Sequence, residues 1–143
     1  MNKKLKVLFL CTGNSCRSQM AEALAREMYE SRCDLYSAGV EKRQVHPLAA
    51  RVLEETGVET SPLFSKTIDE LPVRNFDIVI TLCDNVRKAC PHPPRNRKIV
   101  HHAFEDPSDD HISGGESLDA FRKTRDEIGN WLETKLPELL DVL

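Results

Sequence analysis

The N-terminal part of this chain has three successive patterns. A short apolar run is followed by a polar segment and then by apolar residues at helical spacing. Residues 6–10 are mostly apolar and lead to Cys11, which is typical of a buried parallel strand. Beyond the polar turn, apolar residues recur at every fourth position with alanines beside them, as in a helix that covers a sheet: Met20, Leu24 and Met28. The chain therefore starts as strand, loop and helix.

The same alternation continues along the chain. Further strands are predicted at residues 35–38, 76–82 and 98–102, the last being the weakest. A helix should begin at Pro47 and run to about residue 56, where Gly57 ends it. A long amphipathic helix should follow from residue 118, disturbed near Pro137.

This element order predicts an α/β fold: a single three-layer domain over residues 1–143, with a four-stranded parallel sheet flanked by helices. Ligands of such sheets bind at the carboxyl ends of the strands. Cys11 ends the first strand, Cys83 follows the third, and Cys90 comes soon after. The site is therefore expected at this edge.

Composition excludes several classes of protein. The chain is 40% hydrophobic and 30% charged with a formal net charge of −3, so no overall basic field favours nucleic acid. No apolar run reaches the length of a membrane span, and no targeting segment is recognised, so a cytoplasmic protein is expected. Five cysteines in a reducing compartment indicate catalysis, redox chemistry or metal binding, since a static disulfide framework is not expected there.

The loop after the first strand has the pattern C-x5-R-S, and it comprises Cys11, Thr12, Gly13, Asn14, Ser15, Cys16, Arg17 and Ser18. A loop that wraps onto a helix N-terminus can direct several backbone N–H groups at one tetrahedral oxyanion. Gly13 permits unusual backbone angles, and the planar guanidinium of Arg17 can hold two oxyanion oxygens. We therefore predict that all eight residues form an anion-binding loop.

The same positive field should act on the Cys11 sulfur. A helix N-terminus and a neighbouring arginine stabilise a thiolate, and Ser18 can add a hydrogen bond. Cys11 is accordingly predicted to be a nucleophile, the alternative being a buried structural cysteine. Cys16 and Cys33 are interpreted as structural, because Cys16 can pack beneath the loop and Cys33 lies in a connection.

Together with Ser37-Ala38-Gly39 and Asp106-Pro107, this loop resembles the low-molecular-weight tyrosine phosphatase fold, and the resemblance covers nearly the whole chain. Within that fold, three further features resemble the thioredoxin-coupled arsenate reductases: Gln19 in place of a common proline, Thr81-Leu82-Cys83, and Cys90-Pro91.

The resemblance implies a function and a role for each matching residue. Cys11 would attack arsenate, Cys83 and Cys90 would carry a disulfide outward, Arg17 would clamp the oxyanion and Asp106 would be the general acid. Phosphate or sulfate should compete with arsenate, and thioredoxin is the expected electron donor, with glutaredoxin or another thiol left open. No cofactor is expected.

Some family members bind potassium beside the loop, through residues that match Asn14, Glu22, Ser37 and an acidic residue near position 66. This chain has Lys66 there. A lysine ammonium would take the place of the cation, so no metal ion is predicted.

The spacing of Cys83 and Cys90 predicts a rearrangement. Seven residues of helix span about 10.5 Å along the axis, whereas a disulfide needs roughly 4.4–6.8 Å between Cα atoms. If residues 84–89 are helical in the reduced protein, they must unwind when the two cysteines join. Asp84, Asn85, Arg87 and Lys88 make this segment polar enough for exposure.

Two other functions remain open. A tyrosine phosphatase would use Cys11, Arg17 and Asp106 but hydrolyse its intermediate with water. A metal or arsenite sensor would use soft ligands from the following set: Cys83, Cys90, His92, His101 and His102. The sensor is disfavoured, because the cysteines lack C-x2-C spacing and adjacent strand histidines point to opposite faces.

Overall fold

The computed structural model describes residues 3–84, 86, 93–108 and 118–143. Within them, four strands form one sheet: β1 (Leu5–Cys11), β2 (Cys33–Gly39), β3 (Asn75–Thr81) and β4 (Arg95–His101). The order is β2-β1-β3-β4, and each neighbouring pair is parallel. This arrangement confirms the predicted α/β fold with a four-stranded parallel sheet.

Four helices have both ends among the described residues: α1 (Arg17–Tyr29), α2 (Pro47–Glu54), α3 (Leu118–Thr134) and α4 (Leu136–Asp141). A 3₁₀ turn lies at Ile68–Glu70, and Asp84 and Val86 are also helical. Pro47 lies in the first turn of α2, where the His46 imidazole accepts a hydrogen bond from the Leu48 N–H. Gly57 closes the connection after α2 with a φ of 78°.

The predicted disturbance near Pro137 is the boundary between α3 and α4, at Lys135. Proline has no N–H for the preceding turn, and its ring clashes with the carbonyl four residues earlier. Within the described residues, no helix is long and apolar enough to cross a membrane.

Buried side chains lie on both faces of the sheet, because successive strand residues point to opposite sides. The larger cluster joins one face to α1, α2 and α3, and includes Val7, Phe9, Met20, Val52 and Phe121. The second cluster includes Leu8, Leu10, Leu71, Val79 and Cys83. Such two-sided burial explains why the inner strands are almost continuously apolar.

Strand register brings the predicted site together at one edge. Cys11 pairs with Gly39 at the ends of β1 and β2, while Leu10 pairs with Thr81 of β3. The Leu82 N–H then donates to the Leu10 carbonyl, so the chain leaves β3 beside the loop and passes directly into Cys83.

We expect Gly39→Ala to lower the free energy of unfolding by roughly 1–3 kcal/mol. A Cβ at Gly39 would lie 2.6 Å from the Glu41 carbonyl oxygen and 2.8 Å from both the Asn14 nitrogen and the Thr12 carbonyl oxygen. These are backbone atoms of the loop and its support, so they cannot move aside independently.

Gly129→Ala in α3 is the matched control, because a Cβ there meets no heavy atom within 4 Å. It should raise the free energy of unfolding by about 0.5–1 kcal/mol, since alanine favours a helix. Urea denaturation measures both variants. Equal stability of Gly39→Ala and the unmodified protein would contradict the close approach at Gly39.

Candidate active site

The loop between β1 and α1 has its carbonyl groups turned outward. Backbone N–H groups of Glu41, Arg43 and His46 donate to the Thr12, Gly13 and Ser15 carbonyls at 3.0–3.2 Å. The Asn14 carbonyl accepts a hydrogen bond from Gln19 Nε2 at 3.0 Å. Since the next N–H points opposite to each carbonyl across a trans peptide, the amides of residues 13–16 are directed to the other side of the loop.

A cavity of about 180 Å³ lies at the loop, and its lining comprises Cys11, Thr12, Gly13, Ser15, Cys16, Arg17, Arg43, Asp106 and Ser108. Six of these nine residues belong to the predicted anion loop. Asn14 and Ser18 instead lie fully buried behind it. The structure thus separates the predicted loop into residues that face the cavity and residues that support it.

The Asn14 side chain is the centre of that support. Its Oδ1 accepts the Lys66 N–H at 2.9 Å, and a backbone donor fixes which amide atom is oxygen. Its Nδ2 therefore donates to Ser18 Oγ at 2.8 Å and to Ser37 Oγ at 3.1 Å. Asn14 has a φ of 50°, a left-handed conformation that asparagine tolerates better than most residues.

These directions also assign the hydrogen bond at Cys11. Its sulfur is buried and lies 2.8 Å from Ser18 Oγ. Because Ser18 Oγ already accepts from Asn14, its own proton is free to point at the sulfur. A hydroxyl donated to sulfur stabilises negative charge there, as the predicted nucleophile requires.

Gln19 fastens the loop to a second segment of the chain. The two hydrogens of its Nε2 serve three acceptors: the Asn14 carbonyl, Asn14 Oδ1 at 2.9 Å and the Phe64 carbonyl at 2.8 Å. A proline at this position could make none of these bonds. Gln19 therefore contributes a structural tie between the loop and residues 64–66.

Arg17 and Asp106 lie on the same wall of the cavity. Arg17 donates to the Phe104 carbonyl at 3.0 Å, and its Nη2 lies 3.6 Å from Asp106 Oδ2. Asp106 Oδ1 accepts hydrogen bonds from the Ser108 N–H and hydroxyl at 3.0 and 2.7 Å. Guanidinium and carboxylate therefore face the same space.

The pKa of Asp106 is lower than usual. Partial burial alone would raise this pKa, but the hydrogen bonds from Ser108 and the positive charges of Arg17 and Arg43 outweigh burial. The loop and its neighbours thus do not raise the pKa of this carboxyl. The predicted general acid would need a higher pKa, because it must hold a proton before it can donate one.

Cys83 is buried in the same cluster as Cys11. Its sulfur lies 3.3 Å from the Thr12 hydroxyl, which connects it to the anion loop. Cys90 lies outside the described residues, as do Asn85, Arg87, Lys88 and His92.

The remaining described cysteines differ from these in environment. Burial raises the pKa of the Cys16 thiol to about 11, although it lines the cavity. Burial also raises the pKa of the Cys33 thiol. Both therefore stay protonated near neutral pH, which agrees with a structural interpretation.

The two adjacent histidines are directed differently, and His102 lies just beyond His101, the last residue of β4. His101 bridges Thr81 Oγ1 at 2.6 Å and Asp84 Oδ1 at 2.8 Å. His102 packs against Phe104 and Trp131. Across the part of the chain that the structure describes, histidine, cysteine and carboxylate side chains nowhere converge in a group of three suited to a metal ion.

Sequence reasoning missed two residues of the cavity, Arg43 and Ser108. Arg43 lies just after the carboxyl end of β2, and this position in the sheet was a signal that could have found it. Ser108 follows the predicted Asp106-Pro107 pair, where a hydroxyl can bind the carboxylate two residues earlier.

Comparison with known proteins agrees with this geometry. Residues 6–141 match the family model described as low molecular weight phosphotyrosine protein phosphatase. A protein from Halalkalibacterium halodurans named arsenate reductase is 42% identical over 134 residues, or 94% of this chain and 96% of the relative.

Solved structures lead to the same family. A structure titled as an arsenate reductase in the oxidised state has a TM-score of 0.78 at 31% identity, over 93% of this chain and 97% of the other. A low molecular weight protein tyrosine phosphatase from T. tengcongensis has a TM-score of 0.77 at 25% identity, over 98% and 100%. The chain belongs to the low molecular weight phosphotyrosine protein phosphatase family.

Proposed function

We propose that this protein reduces arsenate to arsenite, with Cys11 as the nucleophile and Cys83 as the second thiol. One observation carries the proposal: Cys83 is buried with Cys11 beside an oxyanion cavity and contacts the Thr12 hydroxyl of the loop. A phosphatase needs only the first cysteine. The relative from Halalkalibacterium halodurans that is named arsenate reductase supports the same function.

The reaction begins in the anion loop. The amides of the loop residues that line the cavity and the guanidinium of Arg17 bind the arsenate oxygens, as they would bind phosphate or sulfate. The Cys11 thiolate attacks arsenic and forms a sulfur–arsenic bond, while one arsenate oxygen leaves as water. Arsenic is still pentavalent in this adduct.

Asp106 supplies the proton for the departing oxygen. Its pKa is low before substrate binds, because Ser108 and two arginines stabilise the carboxylate. A bound oxyanion brings negative charge beside Asp106 and opposes that effect, so substrate binding favours the protonated carboxyl that general-acid chemistry needs.

Reduction follows at sulfur. The Cys83 thiolate attacks the Cys11 sulfur, the sulfur–arsenic bond breaks, and arsenic leaves as arsenite with the bonding electron pair. Cys90 then attacks Cys83, which frees Cys11 and leaves a Cys83–Cys90 disulfide. Reduced thioredoxin in the cytoplasm restores both thiols, so two electrons pass from a dithiol to each arsenic.

The test is arsenite production from arsenate with reduced thioredoxin and an NADPH-coupled thioredoxin reductase, run beside aryl phosphate hydrolysis. Steady arsenite formation with slower hydrolysis supports the reductase. The second candidate is a phosphatase, which the fold shared with the T. tengcongensis phosphatase favours. Efficient hydrolysis without arsenite formation would establish that alternative.

A bound potassium ion does not fit the residues behind the loop. The buried Lys66 ammonium lies 3.8 Å from Glu22 Oε1 and 2.9 Å from the Phe64 carbonyl. Glu22 also pairs with Arg26 and accepts the Ser37 hydroxyl at 2.6 Å. Burial lowers the pKa of Lys66, and the Glu22 charge opposes that shift. The Lys66 Nζ thus already occupies the space beside the carboxylate.

Replacing sodium with potassium at equal ionic strength should change melting temperature and turnover very little, because Lys66 stands where an ion would bind. Thermal unfolding and arsenite production in the two salts measure this. A large rise in melting temperature that is specific to potassium would contradict the role given to Lys66.

Cys83→Ser and Cys90→Ser should separate reduction from hydrolysis, since both leave the anion loop intact. Cys90→Ser should release about one arsenite per protein and stop as a Cys11–Cys83 disulfide. Cys83→Ser should release essentially none without an added thiol. Single-turnover arsenite release with mass mapping of disulfides reads both outcomes.

Aryl phosphate hydrolysis is the internal control, because it should survive in both variants and disappear in Cys11→Ser. Repeated turnover of Cys90→Ser with thioredoxin at the unmodified rate would eliminate the three-cysteine relay. A donor thiol acting directly on Cys11 would then replace it.

A further inference from the structure

Arg43 places a second guanidinium at the cavity, on a different segment from Arg17. Its backbone N–H donates to the Gly13 carbonyl and to Ser65 Oγ, both at 3.2 Å, so its main chain is fixed against the loop. Its side chain then passes directly over Gly13. A Cβ at Gly13 would lie 2.6 Å from Arg43 Cδ and 3.0 Å from its Nε.

The other groups at the cavity would not fully balance the charge of a bound oxyanion. Arg17 faces the Asp106 carboxylate and also donates to the Phe104 carbonyl, so its charge is already partly balanced. Phosphate-like oxyanions carry about two negative charges near neutral pH. The loop amides and one shared guanidinium would meet that charge only in part.

Arg43 is positioned to balance the remaining negative charge of the oxyanion. Its positive charge is among the causes that lower the pKa of Asp106, together with the charge of Arg17. Its resting partner is Glu41, two residues earlier, and their side chains are 59% and 54% exposed. Ion pairs as exposed as this contribute little stability, so Arg43 can exchange Glu41 for an anion at small cost.

We propose that Arg43 is a further anion-binding residue, which holds the tetrahedral oxyanion from the segment that packs over Gly13. The proposal deepens the function proposed above and rests on the same cavity. Arg43 contributes to binding and to the capture of anions, whereas the sulfur chemistry belongs to the cysteines. Because its charge is exposed, its contribution declines with ionic strength.

The test measures phosphate and sulfate binding to the intact reduced protein by calorimetry, with no turnover involved. Arg43→Gln should raise the dissociation constant of both anions about tenfold at low salt. It should also weaken the salt dependence of binding. The matched control is Lys42→Gln, because Lys42 pairs with Glu70 at 3.1 Å and does not line the cavity. The control should bind both anions like the unmodified protein.

A double-mutant cycle tests the position of the side chain. Gly13→Ala should weaken phosphate binding, because the new methyl group displaces Arg43. In an Arg43→Ala background there is no long side chain to displace, so the same glycine substitution should add little further loss. Unfolding curves show whether each variant remains folded.

Equal dissociation constants for Arg43→Gln and Lys42→Gln would overturn the role of Arg43, whatever the protein reduces. Conversely, a failure to produce arsenite would overturn the proposed reductase but not Arg43, provided that anion binding still depended on Arg43. In aryl phosphate hydrolysis, Arg43→Gln should raise KM and leave kcat nearly unchanged. A fall in kcat with KM unchanged would also contradict a role in binding.

Discussion

The Asn14 amide joins the anion loop to three separate parts of the fold. It donates to Ser18 on α1 and Ser37 on β2, and accepts from the Lys66 backbone. These hydrogen bonds are buried, so water cannot replace a lost partner. Each of them therefore contributes more to stability than it would at the surface. The fold itself therefore fixes the left-handed residue and the outward carbonyls of the loop, so the proposed anion binding would require little ordering of the backbone.

The parallel sheet makes this arrangement possible. Cys11, Gly39 and Thr81 end three adjacent strands at one edge, so residues distant in sequence meet around one cavity. Gly39 is small enough to let the chain after β2 approach the loop backbone. That approach provides the donors from residues 41, 43 and 46, which hold the loop carbonyls outward.

Sequence patterns predicted the buried elements well, because buried strands and helices require apolar residues at regular spacings in the sequence. β3 is apolar on both faces, and its predicted bounds differ from the observed ones by one residue. β4 begins three residues before its predicted start, because its polar first residues are defined by pairing with β3. The position of Arg43 just after β2 can be predicted from the sequence, but the backbone hydrogen bond that holds it against the loop cannot. The lowered pKa of Asp106 likewise depends on contacts with Ser108 and Arg43 that exist only after folding.

The raised pKa of Cys16 has a consequence for chemical selectivity. Two sulfur atoms line one small cavity, five residues apart, and an oxidant or alkylating agent that enters meets both. Burial keeps the Cys16 proton in place, whereas Ser18 directs a hydroxyl proton at Cys11. Thiolates react with electrophiles far faster than thiols do. Solvation and hydrogen bonding therefore distinguish two chemically identical groups within one cavity, which fits the role proposed above for the sulfur that begins the loop.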